Sequence, residues 1–343
     1  MNTIQLRDIE DFCREFKLGE NLRKKTFLIT GATGLIGSTL CYCISKLSKE
    51  QDLGIRILCP VREEGKANDM FNGLSGIYTF RHNISELLNS YQGNIDYIVH
   101  CASPTSSKYM TTKPVETYTF MIESTLELLR YTRVHPIESM VYVSSLEYYG
   151  QVLENTLIIE DSLGYVDPKS ARSSYPMGKR AAEFACTAYF EEYSVPVKIA
   201  RLTQTFGPGV SRNDNRVFAQ FSRAAINGEN IVLKSSGKSS KPYCYTTDTI
   251  NGILTILLCG ENGEAYNVSN DATYISINDM AELVKKEFNP SIHIIYDFDP
   301  NFGYAADTFL KLTSAKLQKL GWRPKFGLIE MYRRLIEYFK SNE

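Results

Sequence analysis

The sequence predicts an α/β fold, a doubly wound parallel sheet with helices on both faces and a smaller α/β lobe toward the C-terminus. Two observations carry that prediction. Short runs that are apolar at every position recur through the first part of the chain, bounded by turn residues and separated by stretches of helical periodicity. Continuously apolar runs belong to strands buried on both faces, and their alternation with helices belongs to parallel sheets. A glycine-spaced turn then joins the first run to a helix.

In chain order, Ile9, Phe12, Cys13 and Phe16 recur at helical spacing, so residues 5–17 read as a short amphipathic helix ahead of the main domain. Strands follow at 25–30 (KTFLIT), 55–61 (IRILCPV), 95–103 (IDYIVHCAS), 139–145 (SMVYVSS) and 195–202 (VPVKIARL). Beyond Arg201 the texture changes. TQTFGPGVSRNDNR and LKSSGKSSKPY are polar and rich in turn residues, the composition of ligand-facing loops. NDMAELVKKEF and GLIEMYRRLIEYF are amphipathic helices, and between them a third is capped by Thr313 and ended by Gly321 and Pro324. The expected organisation is an N-terminal helix in 1–24, a dinucleotide-binding domain over 25–202 to which the chain returns at about 244–270, and a second lobe over 203–243 and 271–343. Neither an internal repeat nor a low-complexity tail interrupts it.

Of the 343 residues 43% are hydrophobic and 22% charged, an ordinary globular balance, and the net charge of -1 supplies no field for nucleic acid or an anionic membrane. Any anionic ligand must be held by a local site. The eight cysteines form no C-x-x-C pair and most sit in apolar runs, so they read as small buried hydrophobes in a reducing compartment. No metal site is expected. The first 24 residues are too charged for a signal peptide and no apolar run approaches a membrane span, so a cytoplasmic protein is expected.

Gly31, Gly34 and Gly37 are spaced G-x-x-G-x-x-G between the first strand and the helix after it. Such a turn brings backbone N–H groups against a pyrophosphate at a helix N-terminus, the phosphate cradle of a Rossmann-type fold. Gly31, Thr33, Gly34, Leu35, Ile36 and Gly37 are therefore candidate cofactor contacts. The second strand ends in Cys59 and Pro60 rather than in the carboxylate that would accept from an NAD ribose, and Arg62 follows. Arg62 can meet a 2′-phosphate, stack on adenine or remain a solvated surface residue; NAD is favoured and NADP stays open.

Tyr175 and Lys179 share one face of a helix if Pro176 falls in its first turn, and the serines before it, Ser173 or Ser174, can cap such a helix. A phenol is a weak base at neutral pH, and a neighbouring ammonium together with the nicotinamide's positive charge favours its phenolate. Tyr175 can then take the proton of a substrate hydroxyl while hydride leaves the same carbon, and Lys179 can also hold the nicotinamide ribose. A further donor is expected at the end of the fourth strand, from Ser144 or Ser145.

TGATGLIGS, HCASP, YVSSLEYYG, the Tyr175–Lys179 pair, ARLTQTFGPG and LGWRP resemble, in order and distance, the extended short-chain dehydrogenase/reductases of the nucleotide-sugar epimerase and dehydratase group. Within that group the chain is most similar to the UDP-glucuronate decarboxylases. The resemblance implies Ser145 as the catalytic serine and Glu147 as a further catalytic acid or base. It implies His82, Asn83 and Ile84 near adenine, and Cys101, Ala102 and Ser103 along the cofactor. It also implies Gln204 at the sugar, with Arg216 and Lys241, and less securely Arg212, at the diphosphate. Leu146 stands where 4,6-dehydratases carry an acid, which disfavours elimination of water. Lys241 replaces an arginine, and an arginine of the decarboxylases has no counterpart in GYAADTFLKL.

The activity implied is oxidation of a sugar hydroxyl at C4 by bound NAD, use of the 4-keto intermediate for epimerisation or decarboxylation, and return of the hydride. An NADPH-dependent reductase of a nucleotide-linked sugar or alditol, and a non-catalytic dinucleotide sensor, are the alternatives. The partner implied is a nucleotide-diphosphate sugar, and the assembly a homodimer through a four-helix bundle built on PVETYTFMIESTLELLRYT and GKRAAEFACTAYFEEY.

Overall fold

The computed structural model describes residues 1–152, 156–297 and 307–341. Its central sheet has seven strands: β1 (Thr26–Thr30), β2 (Arg56–Pro60), β3 (Ile77–Phe80), β4 (Tyr97–His100), β5 (Ser139–Ser145), β7 (Val197–Leu202) and β11 (Ala265–Val268). They lie in the order β11-β7-β5-β4-β1-β2-β3, with every neighbouring pair parallel. The order reverses between β1 and β4, and at such a switch point the strand ends open a crevice for a ligand. Smaller sheets are formed by β8 (Gln204–Phe206), β10 (Ser240–Tyr245) and β12 (Asn270–Ser276), by β9 (Ile231–Leu233) with β13 (Ile294–Tyr296), and by β6 (Leu157–Ile158) with β14 (Lys311–Leu312).

The five expected runs are all strands; β5 has the expected bounds and the other four are trimmed by a residue or more. Two strands, β3 and β11, lie outside those runs. Both are four-residue sheet edges, where one flank is not covered by a neighbouring strand and the continuous apolar signature is lost. In β11 the buried Asn267 interrupts the pattern, and its side chain is satisfied by the Tyr149 hydroxyl and the Thr313 carbonyl.

One face of the sheet is covered by α1 (Thr3–Glu15), α2 (Leu35–Glu50), α3 (Glu64–Phe71) and α9 (Thr246–Cys259), whose Ile9, Leu40, Ala67 and Ile253 join one core with Phe27 and Ile29. The other face is covered by α4 (Ile84–Ser90), α6 (Pro114–Val134) and α7 (Ser174–Tyr193), through Leu87, Leu128 and Cys186 against Leu28 and Ile98. Gly178 lets α7 close on α6, since a Cβ there would strike the Met121 methyl. A short α5 (Ser107–Thr112) leads into α6. A second core gathers α8 (Val217–Asn227), α10 (Ile277–Phe288) and α12 (Leu328–Lys340) around β8 and β10 through Phe206, Phe218, Met280 and Tyr332.

The N-terminal helix is tied down by more than packing. Buried Asp8 accepts from the Tyr245 hydroxyl and from Arg334, so α1 is bolted to β10 and α12 together. Burial raises the Asp8 carboxyl from its ordinary value, and these two partners pull it back down.

Three local expectations are corrected. No serine side chain caps α7: the helix grows out of the 3-10 turn Ala171–Ser173, and the Ser174 hydroxyl donates to the Met110 carbonyl at 3.1 Å. Pro176 still sits in the first turn, where its missing N–H has no intrahelical partner to lose. Cys259, at the end of α9, is exposed rather than buried; all eight thiols are free. At α11 (Ala315–Lys319) Ser314 occupies the cap position, while the Ala315 N–H donates to Thr313 Oγ1 at 3.2 Å.

Candidate active site

The glycine turn leaves the end of β1 at the switch point. Gly31 has φ +67°, and a Cβ on it would lie 2.8 Å from the Ala102 nitrogen. A Cβ on Gly37 would run into the Gly31 carbonyl oxygen, so the helix can start this close to the strand only with glycine there. Gly34 caps α2 with an extended backbone and, apart from the Gly31 oxygen at 3.4 Å, has open space where its Cβ would be. Thr33 belongs to the same turn, and Leu35 and Ile36 open α2.

β4 ends beside β1, in register Thr30 to His100. Thr30 Oγ1 accepts from the Ala102 N–H at 3.2 Å and pairs with His100 Nδ1 at 2.6 Å. Ser124 Oγ gives its own proton to the Phe120 carbonyl, so it accepts from His100 Nε2 at 3.2 Å, and the neutral ring takes the Thr30 proton at Nδ1. Burial drives the imidazole down to about 3, so it stays neutral and works as a strut between the two strand ends and α6. Cys101, Ala102 and Ser103 run on from this strut across the mouth of the cradle. Arg62 is exposed just beyond β2. Asn83 caps α4, its side chain accepting from the Glu86 N–H at 2.8 Å, while Ile84 is buried and His82 faces Glu86.

Tyr175, Lys179 and Glu183 lie on successive turns of one face of α7, all buried. Lys179 Nζ donates to the Val143 carbonyl at 2.8 Å and sits 4.8 Å from the Tyr142 ring centroid and 5.7 Å from that of Tyr175. Burial lowers its ammonium to about 8, against the pull of Glu183. The Tyr175 phenol is pushed up to about 12, by burial first and then by the Glu147 carboxylate, while hydrogen bonding with Ser145 and Ser103 and the charge of Arg172 draw it down. Among the protein's own groups burial dominates, and the depression expected of the phenol calls on the nicotinamide charge beside that of Lys179.

β5 separates its two serines by the alternation of a strand. Ser144 turns inward to Glu183, which also grips Arg201 at 2.7 Å, and Ser145 turns to the side of Tyr175. Arg180, next in the chain to Lys179, donates to the carbonyls of Tyr148 and Gly164, both at 2.7 Å, and pins the loop that follows β5. Glu147 lies on that loop. Its N–H donates to Ser145 Oγ at 3.2 Å and its carboxylate accepts from Arg172 Nη2 at 2.8 Å.

Arg172 is the residue that sequence reading missed. It stands three residues before Tyr175 in a serine-rich turn, where an arginine reads as solvated; no local signal pairs it with Glu147. Lys241 is half-buried on β10, its ammonium lowered by burial, supported by Glu147 and opposed by Arg172, and Glu147 and Arg172 act in the same way on Tyr175, so the four lie within electrostatic reach of one another. Gln204, on β8 beside it, keeps a buried Oε1 with no protein partner. Arg216 caps α8 and forks onto Asp214, with Nη2 to Oδ2 at 2.6 Å, and Arg212 donates to the Phe339 carbonyl. Among the described residues no cluster of His, Cys, Asp or Glu could hold a metal ion.

A cradle that three Cβ-free positions keep open, at a helix N-terminus and a switch point, fits a dinucleotide. Residues 27–269 match the model of the NAD dependent epimerase/dehydratase family. UDP-glucuronic acid decarboxylase 5 of Arabidopsis thaliana is 29% identical over 315 residues, 91% of this chain and 89% of that one. The UDP-glucose 4-epimerase of Thermotoga maritima, solved with UDP-glucose, superposes with a TM-score of 0.77 at 20% identity, over 92% of this chain and 99% of its own. The dTDP-glucose 4,6-dehydratase of Bacillus anthracis, solved with NAD, also gives 0.77, at 19% identity over 93% and 97%.

Proposed function

Because the chain belongs to the NAD dependent epimerase/dehydratase family, we propose that it decarboxylates a nucleotide-diphosphate uronic acid through a 4-keto sugar, with NAD as its cofactor. The observation that carries the reading is the linkage of Tyr175, Ser145, Glu147 and Arg172 by hydrogen bonds and charge, in a chain similar to a UDP-glucuronic acid decarboxylase. Gly31, Thr33, Gly34, Leu35, Ile36 and Gly37 would hold the pyrophosphate, Cys101, Ala102 and Ser103 the nicotinamide side, and Asn83, Ile84 and Arg62 the adenosine side. Residues 25–202 and 244–270 serve the dinucleotide; 203–243 and 271–343 serve the nucleotide sugar, with Gln204 at the sugar and Lys241 and Arg216 at the diphosphate. Arg216 comes to that task oriented by Asp214.

Tyr175 Oη takes the proton of the C4 hydroxyl, and Ser145 Oγ donates to the same oxygen. NAD, held by the glycine turn and by Cys101, Ala102 and Ser103, would supply the acceptor and later the donor of the C4 hydride and the positive charge that favours the phenolate. The C4 ketone lies β to the C6 carboxylate. The C5–C6 bond breaks, carbon dioxide leaves, and the electron pair passes to the C4 oxygen as an enolate that the Tyr175 and Ser145 hydroxyls stabilise. Protonation at C5, with Glu147 at hand to relay the proton, restores the ketone for reduction. One proton is consumed, one carbon dioxide released, and the cofactor ends as it began.

A homodimer is part of the same reading. Val115, Tyr118 and Phe120 on α6 and Phe184 on α7, 74% exposed, give the two packed helices an outer apolar surface for a second copy. Eight free thiols suit a reducing cytoplasm, and no described helix is long and apolar enough to cross a membrane. Mass spectrometry of UDP-glucuronate incubated with the NAD-loaded protein tests the activity: a UDP-pentose supports it, and a UDP-uronate of unchanged mass, epimerised or not, overturns it.

A further inference from the structure

Lys179 carries its charge in a place that offers it little. The side chain is buried, and its Nζ, with more than one proton to donate, has a single hydrogen-bond acceptor among the described residues, the Val143 carbonyl at 2.8 Å. None of the described carboxylates lies within ion-pair distance of it, because Glu183, on the next turn of α7, is turned to Arg201 and Ser144. The other groups around the ammonium bring no negative charge either. Burial pushes the Cys101 and Cys186 thiols up, His100 stays neutral, and the Tyr175 phenol is itself pushed up to about 12. What does face the ammonium is an aromatic ring. Tyr142, next to Val143 on β5, has its ring centroid 4.8 Å from Nζ, closer than that of Tyr175 at 5.7 Å. Tyr142 is buried and its hydroxyl has no hydrogen-bond partner among the described residues, so the ring and not the oxygen is what this residue offers. The negative face of a ring attracts a cation within about 6 Å, the more strongly where water is excluded.

We infer that Tyr142 is a positioning residue of this site: its ring face holds the Lys179 ammonium charged and in place beside Tyr175. The part this plays in turnover rests on the functional reading above, in which Tyr175 needs a cation at its side. An aliphatic side chain at the same position would fill the space and leave the ammonium with the Val143 carbonyl alone.

The test keeps the shape of the ring and withdraws its electrons. Tyr142→Phe is compared with proteins carrying trifluorophenylalanine or pentafluorophenylalanine in place of Tyr142. The Lys179 titration is followed in the NAD-loaded protein by NMR of carbon-13-labelled lysine, its signal identified by loss in Lys179→Met. Tyr142→Phe is expected to keep the midpoint within about 0.3 pH units of the wild type's, and fluorination to lower it stepwise, by about one pH unit or more with the pentafluoro ring. The trifluoro ring decides if the bulkier one does not fold. A midpoint that ignores fluorination overturns the inference. A fall as large in Tyr142→Phe as in the fluorinated rings overturns it too, since the oxygen would then be the group that matters. Rate profiles with UDP-glucuronate give a second readout. Lysine loses its charge as pH rises, so the alkaline loss of kcat should move to lower pH by as much as the titration does, which a ring needed only for packing would not cause. A fixed alkaline limb over a moving titration overturns the positioning role. If the wild type does not turn over UDP-glucuronate, the uronate reading fails and the titration alone decides whether the ring holds the charge.

Discussion

Glu183→Gln should be among the most damaging single changes outside the reacting groups. The carboxylate is 4% exposed and its partner Arg201 is 6% exposed, with Nη2 to Oε2 at 2.7 Å and Nε to both oxygens at 3.0 and 3.2 Å. Arg201 is also stacked 3.6 Å from the Tyr148 ring centroid, so little of the guanidinium reaches water. Breaking a buried pair from one side strands a charge, at about 3 to 5 kcal/mol. With an unfolding entropy of about 2.1 cal/mol/K per residue over a chain of 343, that lowers Tm by roughly 4 to 7 °C. Activity should respond as well. Glu183 supports the Lys179 ammonium, which burial has already brought down to about 8. Lysine loses its charge as pH rises through its pKa, so without Glu183 the alkaline loss of activity should begin at lower pH. Calorimetry and a pH–rate profile measure the two effects. A variant melting within 1 °C or so of the wild type, with an unmoved alkaline limb, would refute the reasoning. The double change Glu183→Leu with Arg201→Met should recover part of the lost stability, because the guanidinium is then no longer stranded, while Lys179 and Ser144 still lack the carboxylate.

Two further outcomes are expected. His100 stays neutral down to about 3, whereas in the unfolded chain it takes a proton near the ordinary imidazole value of 6.5. The unfolded state therefore binds more protons between those values, and stability should fall as pH is lowered through that window by up to about 1.4 kcal/mol per unit. His100→Asn should flatten the pH dependence of Tm there; parallel curves would remove the histidine from the account. Lys241→Ala should raise the KM for the nucleotide sugar at least about tenfold with NAD affinity unchanged, and Lys241→Arg should retain binding by supplying a fork. Undiminished UDP affinity in the alanine variant, by titration, would move the diphosphate elsewhere.

What could be read from the sequence was whatever local spacing encodes. Gly31 and Gly37 declare themselves because a backbone at positive φ and a near-contact of strand and helix admit nothing larger. Tyr175 and Lys179 declare themselves by an i, i+4 spacing that Pro176, in the first turn, does not disturb. The residues that stayed hidden act through distant partners. Arg172 meets Glu147 across 25 positions, and Asp8 meets Arg334 across 326. Glu183 looks like the polar side of an amphipathic helix until Arg201 arrives from β7. Strand β3 is hidden for another reason: an edge strand half open to solvent alternates too weakly to stand out from the loops around it.

The central claim is an internal redox cycle that cuts one carbon–carbon bond, and isotope tracing tests it most directly. UDP-glucuronate carrying deuterium at C4 is converted in ordinary water, unlabelled substrate is converted in heavy water, and both products are read by NMR. The account predicts that the C4 deuterium stays on C4, because the hydrogen removed there is returned to the same carbon, and that heavy water delivers one deuterium to C5. Tyr175→Phe should slow both events together by about 10² to 10⁴-fold. Loss of the C4 label to free cofactor, or a product whose C5 gains no solvent hydrogen, would contradict it.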